Sequence, residues 1–140
     1  MSTGTYLRTR VDPIPLTVGL VVGDVVAILA FIIAGEFQHN ADPIGNPELV
    51  VTGAAPFLLS WAAVAFVGGL YTRDAVTSPR RAVSWAVPAW VVATLLGHAL
   101  RSTSLFRGGT ALSFVLVTMA VGVVLLGGWR VLAALAVGRR

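Results

Sequence analysis

The sequence lacks cysteine and lysine, and it has few charged residues of either sign. Without cysteine, the chain can form no disulfide, no thiolate metal site and no cysteine nucleophile. Only 11% of its residues are charged and 56% are hydrophobic, which is far from the composition of a soluble globular domain. Its ten basic residues are all arginine and stand between long apolar runs. This spread argues against a nucleic-acid-binding surface, which would cluster its arginines on one soluble face.

Motifs that carry catalytic chemistry are absent as well. The sequence contains no phosphate-binding Gly-Lys-Ser or Gly-Lys-Thr loop, no His-Glu-x-x-His pair and no Gly-x-Ser-x-Gly elbow. We therefore expect neither an enzyme nor a bound cofactor.

Four apolar runs are each close to the roughly 20 residues that a helix needs to cross a bilayer. They are Ile14 to Gly35, Leu49 to Leu70, Ala82 to Leu100 and Thr110 to Gly128. The fourth run resumes after Trp129 and Arg130 and could extend to Val137. The runs are apolar on all sides, which indicates lipid rather than water around them. The sequence thus predicts an all-α, polytopic membrane protein, a single domain over residues 1–140 with four transmembrane helices in a bundle.

The arginines in the flanks predict the orientation of the chain. Eight arginines fall on the side that holds both termini and the middle loop: Arg8, Arg10, Arg73, Arg80, Arg81, Arg130, Arg139 and Arg140. Only Arg101 and Arg107 fall on the other side. Tyr71, Trp85 and Trp129 lie near the arginine-rich ends of their helices, as interfacial aromatic residues do. We expect cytoplasmic termini in a plasma membrane.

Asp24 lies ten residues into the first run, about 15 Å deep at helical rise. A carboxyl group at that depth is costly and needs a partner or a changed protonation state. One interpretation is a protonatable or cation-binding carboxylate in a small transporter. The other, which we favour, is a structural aspartate that is neutral or paired and fixes the helix register.

Arg130 is the candidate partner of Asp24. If the fourth helix is long and tilted, the guanidinium could reach inward and form a buried ion pair. The simpler hypothesis is snorkelling, in which the guanidinium reaches the inner headgroups while its stem stays in hydrocarbon. The sequence favours snorkelling.

A second polar cluster is predicted at the outer face, from Glu36, His39, His98 and Arg101. His98 and Arg101 are three residues apart and share a helix face. If the first and third helices are neighbours, the cluster could bind a metal or relay protons. No strong metal motif is present, so we favour a Glu36–Arg101 salt bridge with the histidines hydrogen-bonded nearby.

Gly19, Gly23 and Ala27 form a stripe of small residues on the first helix, which would let another helix approach closely. We interpret it as a packing seam rather than a ligand site.

The order of several short motifs resembles the DUF3054 family of small membrane proteins, which occurs in haloarchaea and actinobacteria. The residues that carry the resemblance are Asp24, Gly35, His39, Pro56-Phe57-Leu58, Gly97 to Arg101, Ser113-Phe114-Val115 and Gly128-Trp129-Arg130. The resemblance implies four transmembrane helices in a prokaryotic plasma membrane, and it implies no activity or catalytic residue. Glu36 departs from the family pattern, which has a basic residue there.

Three hypotheses about function follow. The first is an oligomeric transporter that couples a small solute to protons or cations through Asp24. The second is a non-catalytic structural or accessory subunit that packs against a larger membrane protein. The third is a metal or cofactor site at His39 and His98. The expected partners are the lipid bilayer and either a second copy of the chain or a larger membrane protein, with no nucleic acid.

Overall fold

The computed structural model describes residues 15–38, 42–106 and 111–138. They form four long helices, α1 (Pro15–Gln38), α2 (Pro47–Gly68), α3 (Pro79–Arg101) and α4 (Leu112–Gly138), and a short 3-10 helix over Arg73–Val76. Each long helix is long and apolar enough to cross a membrane. The predicted all-α architecture is confirmed, and the chain is a multi-pass membrane protein.

The helix ends differ from the predicted ones where local chemistry overrides hydropathy. Helix α3 begins at Pro79, because the Ser78 hydroxyl accepts a hydrogen bond from the backbone N–H of Arg81 at 3.2 Å and proline suits the first position of a helix. Helix α4 does not stop at Gly128. It continues unbroken through Arg130 to Gly138, as in the longer of the two predicted versions.

The helices pack in the cyclic order α1, α2, α3, α4, so that each helix contacts its two neighbours and α1 lies across the bundle from α3. The starts of α1 and α3 and the ends of α2 and α4 meet at one end of the bundle, called here the Arg73 end. The opposite end, where α3 finishes, is called the Arg101 end. The 3-10 helix packs against α3 and α4 at the Arg73 end.

The outward faces of the helices are apolar. Val18, Val51, Leu59 and Val124 are each more than half exposed. Such a surface suits hydrocarbon, because exposing so much apolar area to water would be unfavourable. The charged side chains of Asp24 and Arg130, in contrast, are buried inside the bundle.

Aromatic side chains lie over glycines at three of the helix contacts. The pairs are Trp90 with Gly122, Phe57 with Gly97 and Trp129 with Gly23, and a Cβ at any of these glycines would overlap the ring. The Trp90 indole also donates a hydrogen bond to the Thr118 carbonyl at 3.2 Å. Small residues thus let large rings enter the contacts between helices, which is how helices associate closely without a hydrophobic driving force between them.

A left-handed glycine turns the chain back into the bundle after α2. Gly69 has φ 70°, its N–H bonds to the Phe66 carbonyl, and the N–H of Leu70 bonds to the Ala65 carbonyl at 2.9 Å. This pattern is a Schellman motif, in which glycine avoids the steric cost of a positive φ. The turn buries Leu70 and Tyr71 instead of releasing them to the membrane surface.

Candidate functional site

The candidate site is built around Asp24, which is completely buried. Asp24 lies nine residues from the start of α1 and Arg130 lies eight residues before the end of α4. Because α1 starts and α4 ends at the Arg73 end, both residues lie about 12 to 14 Å from that end of the bundle. The two side chains therefore meet at the same depth.

Asp24 and Arg130 form a two-point ion pair. The Nε of Arg130 donates to Oδ1 of Asp24 at 3.0 Å, and Nη2 donates to Oδ2 at 2.6 Å. Arg130 is 1% exposed, so both charges are withdrawn from lipid and water. Parallel N–H···O bonds of this kind combine charge and fixed geometry, and they are the strong form of an arginine–carboxylate contact.

Two aromatic residues complete the hydrogen bonding of the carboxylate. The Tyr71 hydroxyl donates to Oδ2 of Asp24 at 2.9 Å, and the Trp61 indole N–H lies 3.1 Å from the same oxygen. The indole is also 3.1 Å from the Tyr71 hydroxyl oxygen. Oδ2 therefore has three donors around it, and each comes from a different part of the chain.

Arg130 is held by further contacts besides the ion pair. Its Nη1 donates to the Leu70 carbonyl at 2.7 Å. Its guanidinium carbon lies 5.4 Å from the centre of the Tyr71 ring and 5.9 Å from that of Trp61, within the range of a cation–π contact. The Gly69 turn makes these contacts possible, because it brings Leu70 and Tyr71 back toward the interior of the bundle. Asp24, Trp61, Tyr71, Arg130 and the Leu70 carbonyl are called the Asp24 cluster below.

The snorkelling prediction for Arg130 is wrong. It rested on a fourth helix that stops near Gly128 and would leave the arginine beside the headgroups. Because α4 runs on to Gly138, Arg130 is well inside the helix and points to the bundle interior. The alternative that the sequence ranked second, the ion pair with Asp24, is the one observed.

Sequence reasoning did not assign Trp61, Tyr71 and Leu70 to the site. The sequence predicts an interfacial ring at Tyr71, yet Tyr71 is only 9% exposed and its hydroxyl reaches Asp24. The pair of glycines before Leu70 was the available signal, since glycine at a helix end predicts a left-handed turn. Burial, and then the negative charge of Asp24, raise the pKa of Tyr71, so that its hydroxyl stays protonated and donates.

The charged groups of the Asp24 cluster are enclosed by the protein. The donors around the carboxylate are all provided by the protein, and neither of the two cavities described below is lined by Asp24 or Arg130. A carboxylate that exchanges protons or cations needs a path for them. This arrangement instead joins α1, α2, α4 and the segment after α2 through one centre.

The structure brings together only some residues of the predicted outer cluster. Glu36 and Arg101 line one cavity of about 410 Å³ at the Arg101 end, although α1 and α3 are not adjacent. No ion pair of 4 Å or less joins them within the described residues. His39 lies outside the described residues. Among the residues that are described, no group of three histidine, aspartate or glutamate side chains lies close enough to hold a metal ion.

His98 is buried behind this cavity between two aromatic rings. Its ring centre is 5.1 Å from that of Phe57 and 5.0 Å from that of Phe114, both edge to face. Within the described part of the chain, neither imidazole nitrogen has a hydrogen-bond partner. The structure thus shows His98 as an aromatic packing residue, where the sequence predicted a hydrogen-bonded one.

The small-residue stripe on α1 is divided. Gly23 is covered by Trp129 of α4, and Ala27 packs against the core, so these two serve contacts within the chain. A Cβ at Gly19 would have no atom within 4 Å, and Gly19 lines a groove of about 540 Å³ between α1 and α4 with Trp129 and Ala133. Of the three, only Gly19 is left open to a neighbour.

Comparison with known proteins gives one match. The sequence profile of the DUF3054 family, described as a protein of unknown function, matches residues 21–133. No curated protein and no solved structure matches the chain. The matched stretch contains the whole Asp24 cluster, the residues that line the cavity with Glu36 and Arg101, and His98.

Proposed function

The chain belongs to the DUF3054 family, and from that premise and the closed Asp24 cluster we propose that it is a non-catalytic structural or accessory subunit of a membrane assembly. The observation that carries the proposal is that Asp24, the one carboxylate deep in the bundle among the described residues, is completely buried and bonded by four N–H or O–H groups of the same chain. In this role the ion pair fixes the register of α1 against α4. The membrane is the plasma membrane of a prokaryote, and the Arg73 end faces the cytoplasm.

Substitutions at both partners test whether the pair is structural. Asp24→Asn or Arg130→Met leaves one buried charge without its partner, which typically costs about 3 to 5 kcal/mol. A double variant, Asp24→Leu with Arg130→Met, removes both charges, and replacing a buried pair by apolar residues is often neutral or stabilising. We expect the single variants to lower the thermal midpoint in detergent and the double variant to restore it. Arg80→Met, at an exposed arginine, is the matched control.

The same variants are reconstituted in proteoliposomes and assayed for proton and cation flux under an imposed gradient. A structural subunit passes no more ions than empty vesicles do. Flux in the parent that disappears in the double variant, while the thermal midpoint and oligomer size are kept, would contradict the proposal.

The outcome that contradicts the proposal would favour the second candidate function, a proton- or cation-coupled transporter of a small solute. The observation in its favour is the cavity at the Arg101 end, which residues from all four helices line and which holds both Glu36 and Arg101. In an assembly of copies, such cavities could lie along one path between protomers.

The partner surface of an accessory subunit is proposed at the open part of α1. Gly19 leaves room for a helix, and Val18 beside it is 65% exposed. A photo-crosslinking residue at Val18 is expected to give one discrete adduct in native membranes. The same residue at Leu59, 58% exposed on α2, is the control and is expected to give lipid adducts only. An adduct of twice the chain mass identifies a homo-oligomer, and equal adducts from both sites would contradict the assignment of the surface.

A further inference from the structure

The cavity at the Arg101 end combines apolar walls with two opposite charges. It has a volume of about 410 Å³, within the range of about 300 to 1,000 Å³ that is common for small-molecule sites. Phe31, Ile32 and Phe114 provide ring and aliphatic surface. Glu36 and Arg101 provide one negative and one positive group. The cavity belongs to a part of the bundle that the Asp24 cluster does not use.

Arg101 is positioned but not fully bonded. Its guanidinium carbon lies 4.9 Å from the centre of the Phe114 ring. Phe114 is in turn held by the buried rings of His98 and Phe57, at 5.0 and 6.4 Å between ring centres. The Nε of Arg101 is buried and has no hydrogen-bond acceptor among the described residues. Because Arg101 lines the cavity and forms no ion pair among the described residues, its guanidinium can pair with an anionic group of a ligand.

Glu36 faces the same space from α1. A Cβ placed on Gly53 of α2 would lie 3.6 Å from Oε1 of Glu36, so the carboxylate lies against the bare backbone of that glycine. Glu36 and Arg101 are close enough to influence each other electrostatically, yet they form no direct ion pair. The remaining space between them can hold a ligand that contacts both.

The two charges select the ligand class. A simple anion would be attracted by Arg101 and repelled by Glu36, and a metal cation would meet the reverse. A molecule that carries an anionic group beside an ammonium satisfies both, since phosphate pairs with guanidinium and ammonium with carboxylate. Its apolar part would rest on Phe31 and Ile32.

The depth of the cavity matches the layer where such molecules are abundant. Helix α1 has 24 residues, which gives a length of about 36 Å against a hydrocarbon core of about 30 Å. Glu36 is two residues before the end of α1, and Arg101 is the last residue of α3. Both therefore lie in the headgroup layer of the bilayer.

From this juxtaposition we propose that the Glu36–Arg101 cavity binds a zwitterion in which a phosphate and a primary ammonium are close together. Arg101 binds the phosphate and Glu36 binds the ammonium. The source of this chemistry is either the headgroup of a phosphatidylethanolamine lipid or a soluble phosphoethanolamine-type metabolite. The proposal does not depend on whether the protein is a subunit or a transporter.

Lipid retention measured by native mass spectrometry tests the proposal. The protein is reconstituted in vesicles with equal amounts of phosphatidylethanolamine and phosphatidylglycerol, which share the phosphate but differ in the ammonium. We expect the parent to retain phosphatidylethanolamine over phosphatidylglycerol by about fivefold, the ratio that about 1 kcal/mol gives. Glu36→Gln should reverse the preference toward phosphatidylglycerol, because Arg101 is then unopposed. Arg101→Gln should lose retention of both lipids.

Matched controls and a soluble probe separate the outcomes. Glu48→Gln and Arg80→Gln remove one charge each from exposed residues outside the cavity and should leave lipid retention unchanged. Phosphoethanolamine that displaces the lipid from detergent-solubilised protein, and raises its thermal midpoint in the parent only, assigns the site to the soluble source. Lipid retention that phosphoethanolamine does not displace assigns it to the lipid. Equal retention of both lipids by the parent, or the same pattern in parent and Glu36→Gln, would overturn the proposal.

Discussion

Asp24 is stable in hydrocarbon because N–H and O–H donors of the protein take the place of water around its carboxylate. Arg130 neutralises its charge, and the Tyr71 hydroxyl and Trp61 indole bond to the same oxygen. Buried ion pairs stabilise only when their remaining hydrogen bonds are satisfied, since removing two charges from water is itself costly. At the scale of the residue, the aromatic donors therefore add to the stabilisation that the counter-charge provides.

Tyr71→Phe tests the contribution of one donor. The variant keeps the ring and removes the hydroxyl, and the loss of a hydrogen bond to a charged group is expected to cost about 2 kcal/mol of unfolding free energy. The measurement is chemical denaturation in detergent at neutral pH. An unchanged midpoint would show that the hydroxyl does not bond to Asp24.

The same substitution predicts a change in alkaline stability. Burial raises the pKa of Tyr71 above its ordinary value of 10.0, so the protonated hydroxyl is favoured in the folded protein. The stabilisation is fully present below that ordinary pKa and is lost as the pH rises above it toward the raised folded value. Between about pH 9 and about pH 12 the parent should therefore lose more stability than Tyr71→Phe does. Parallel curves for the two proteins would contradict this.

At the scale of the element, three of the helix contacts combine a glycine with an aromatic ring. The Trp90 ring packs against α4 at Gly122, and its indole N–H donates to the Thr118 carbonyl one turn away. Glycine also directs the chain at the end of α2. Gly69 adopts a left-handed backbone conformation there, which turns Tyr71 back toward α1. Glycine here sets the distance and direction of the helices, although it is less favourable than alanine inside a helix.

Gly122→Ala and Gly128→Ala form a matched pair on α4. A Cβ at position 122 would overlap the buried Trp90 indole, whereas one at position 128 would meet nothing within 4 Å. We expect Gly122→Ala to lose about 2 kcal/mol through overpacking. Gly128→Ala should be neutral or stabilising by up to about 1 kcal/mol, because alanine favours the helix. Equal thermal midpoints in the two variants would contradict the close contact.

At the scale of the whole molecule, four apolar helices surround two groups of polar residues, which lie at different depths and differ in their surroundings. In the Asp24 cluster the polar groups are paired and enclosed, whereas Glu36 and Arg101 at the other end of the bundle line a cavity. The Asp24 cluster joins three of the helices through one centre. The cavity shared by Glu36 and Arg101 is the space in which we propose that a ligand binds.

The absence of cysteine allows a clean test of orientation. Single cysteines at Thr77, exposed beside the Arg73 end, and at Ser104, exposed beside the Arg101 end, are labelled with a membrane-impermeant maleimide in intact cells. The arginine distribution predicts that Ser104→Cys reacts in intact cells and Thr77→Cys reacts only after lysis. The reverse pattern would invert the proposed topology, and reaction of both in intact cells would contradict a single orientation.

The amino-acid sequence by itself determined the number of helices, their approximate bounds and the depth of Asp24. Hydropathy decides these features because a backbone in hydrocarbon must satisfy its hydrogen bonds within each span, whatever the neighbouring helices are. The choice of Asp24 as a residue that needs a partner followed from the same cost. The order of several short motifs also carried the family resemblance, which the profile match confirmed.

Only the tertiary structure decided which partner Asp24 has. The length of α4, the cyclic order of the helices and the return of the chain at Gly69 place Arg130, Trp61 and Tyr71 around one carboxylate. Those features depend on contacts between residues as many as 106 positions apart, and hydropathy along the chain carries no information about them. For the same reason the cavity shared by Glu36 and Arg101 became visible only when the helices were packed together.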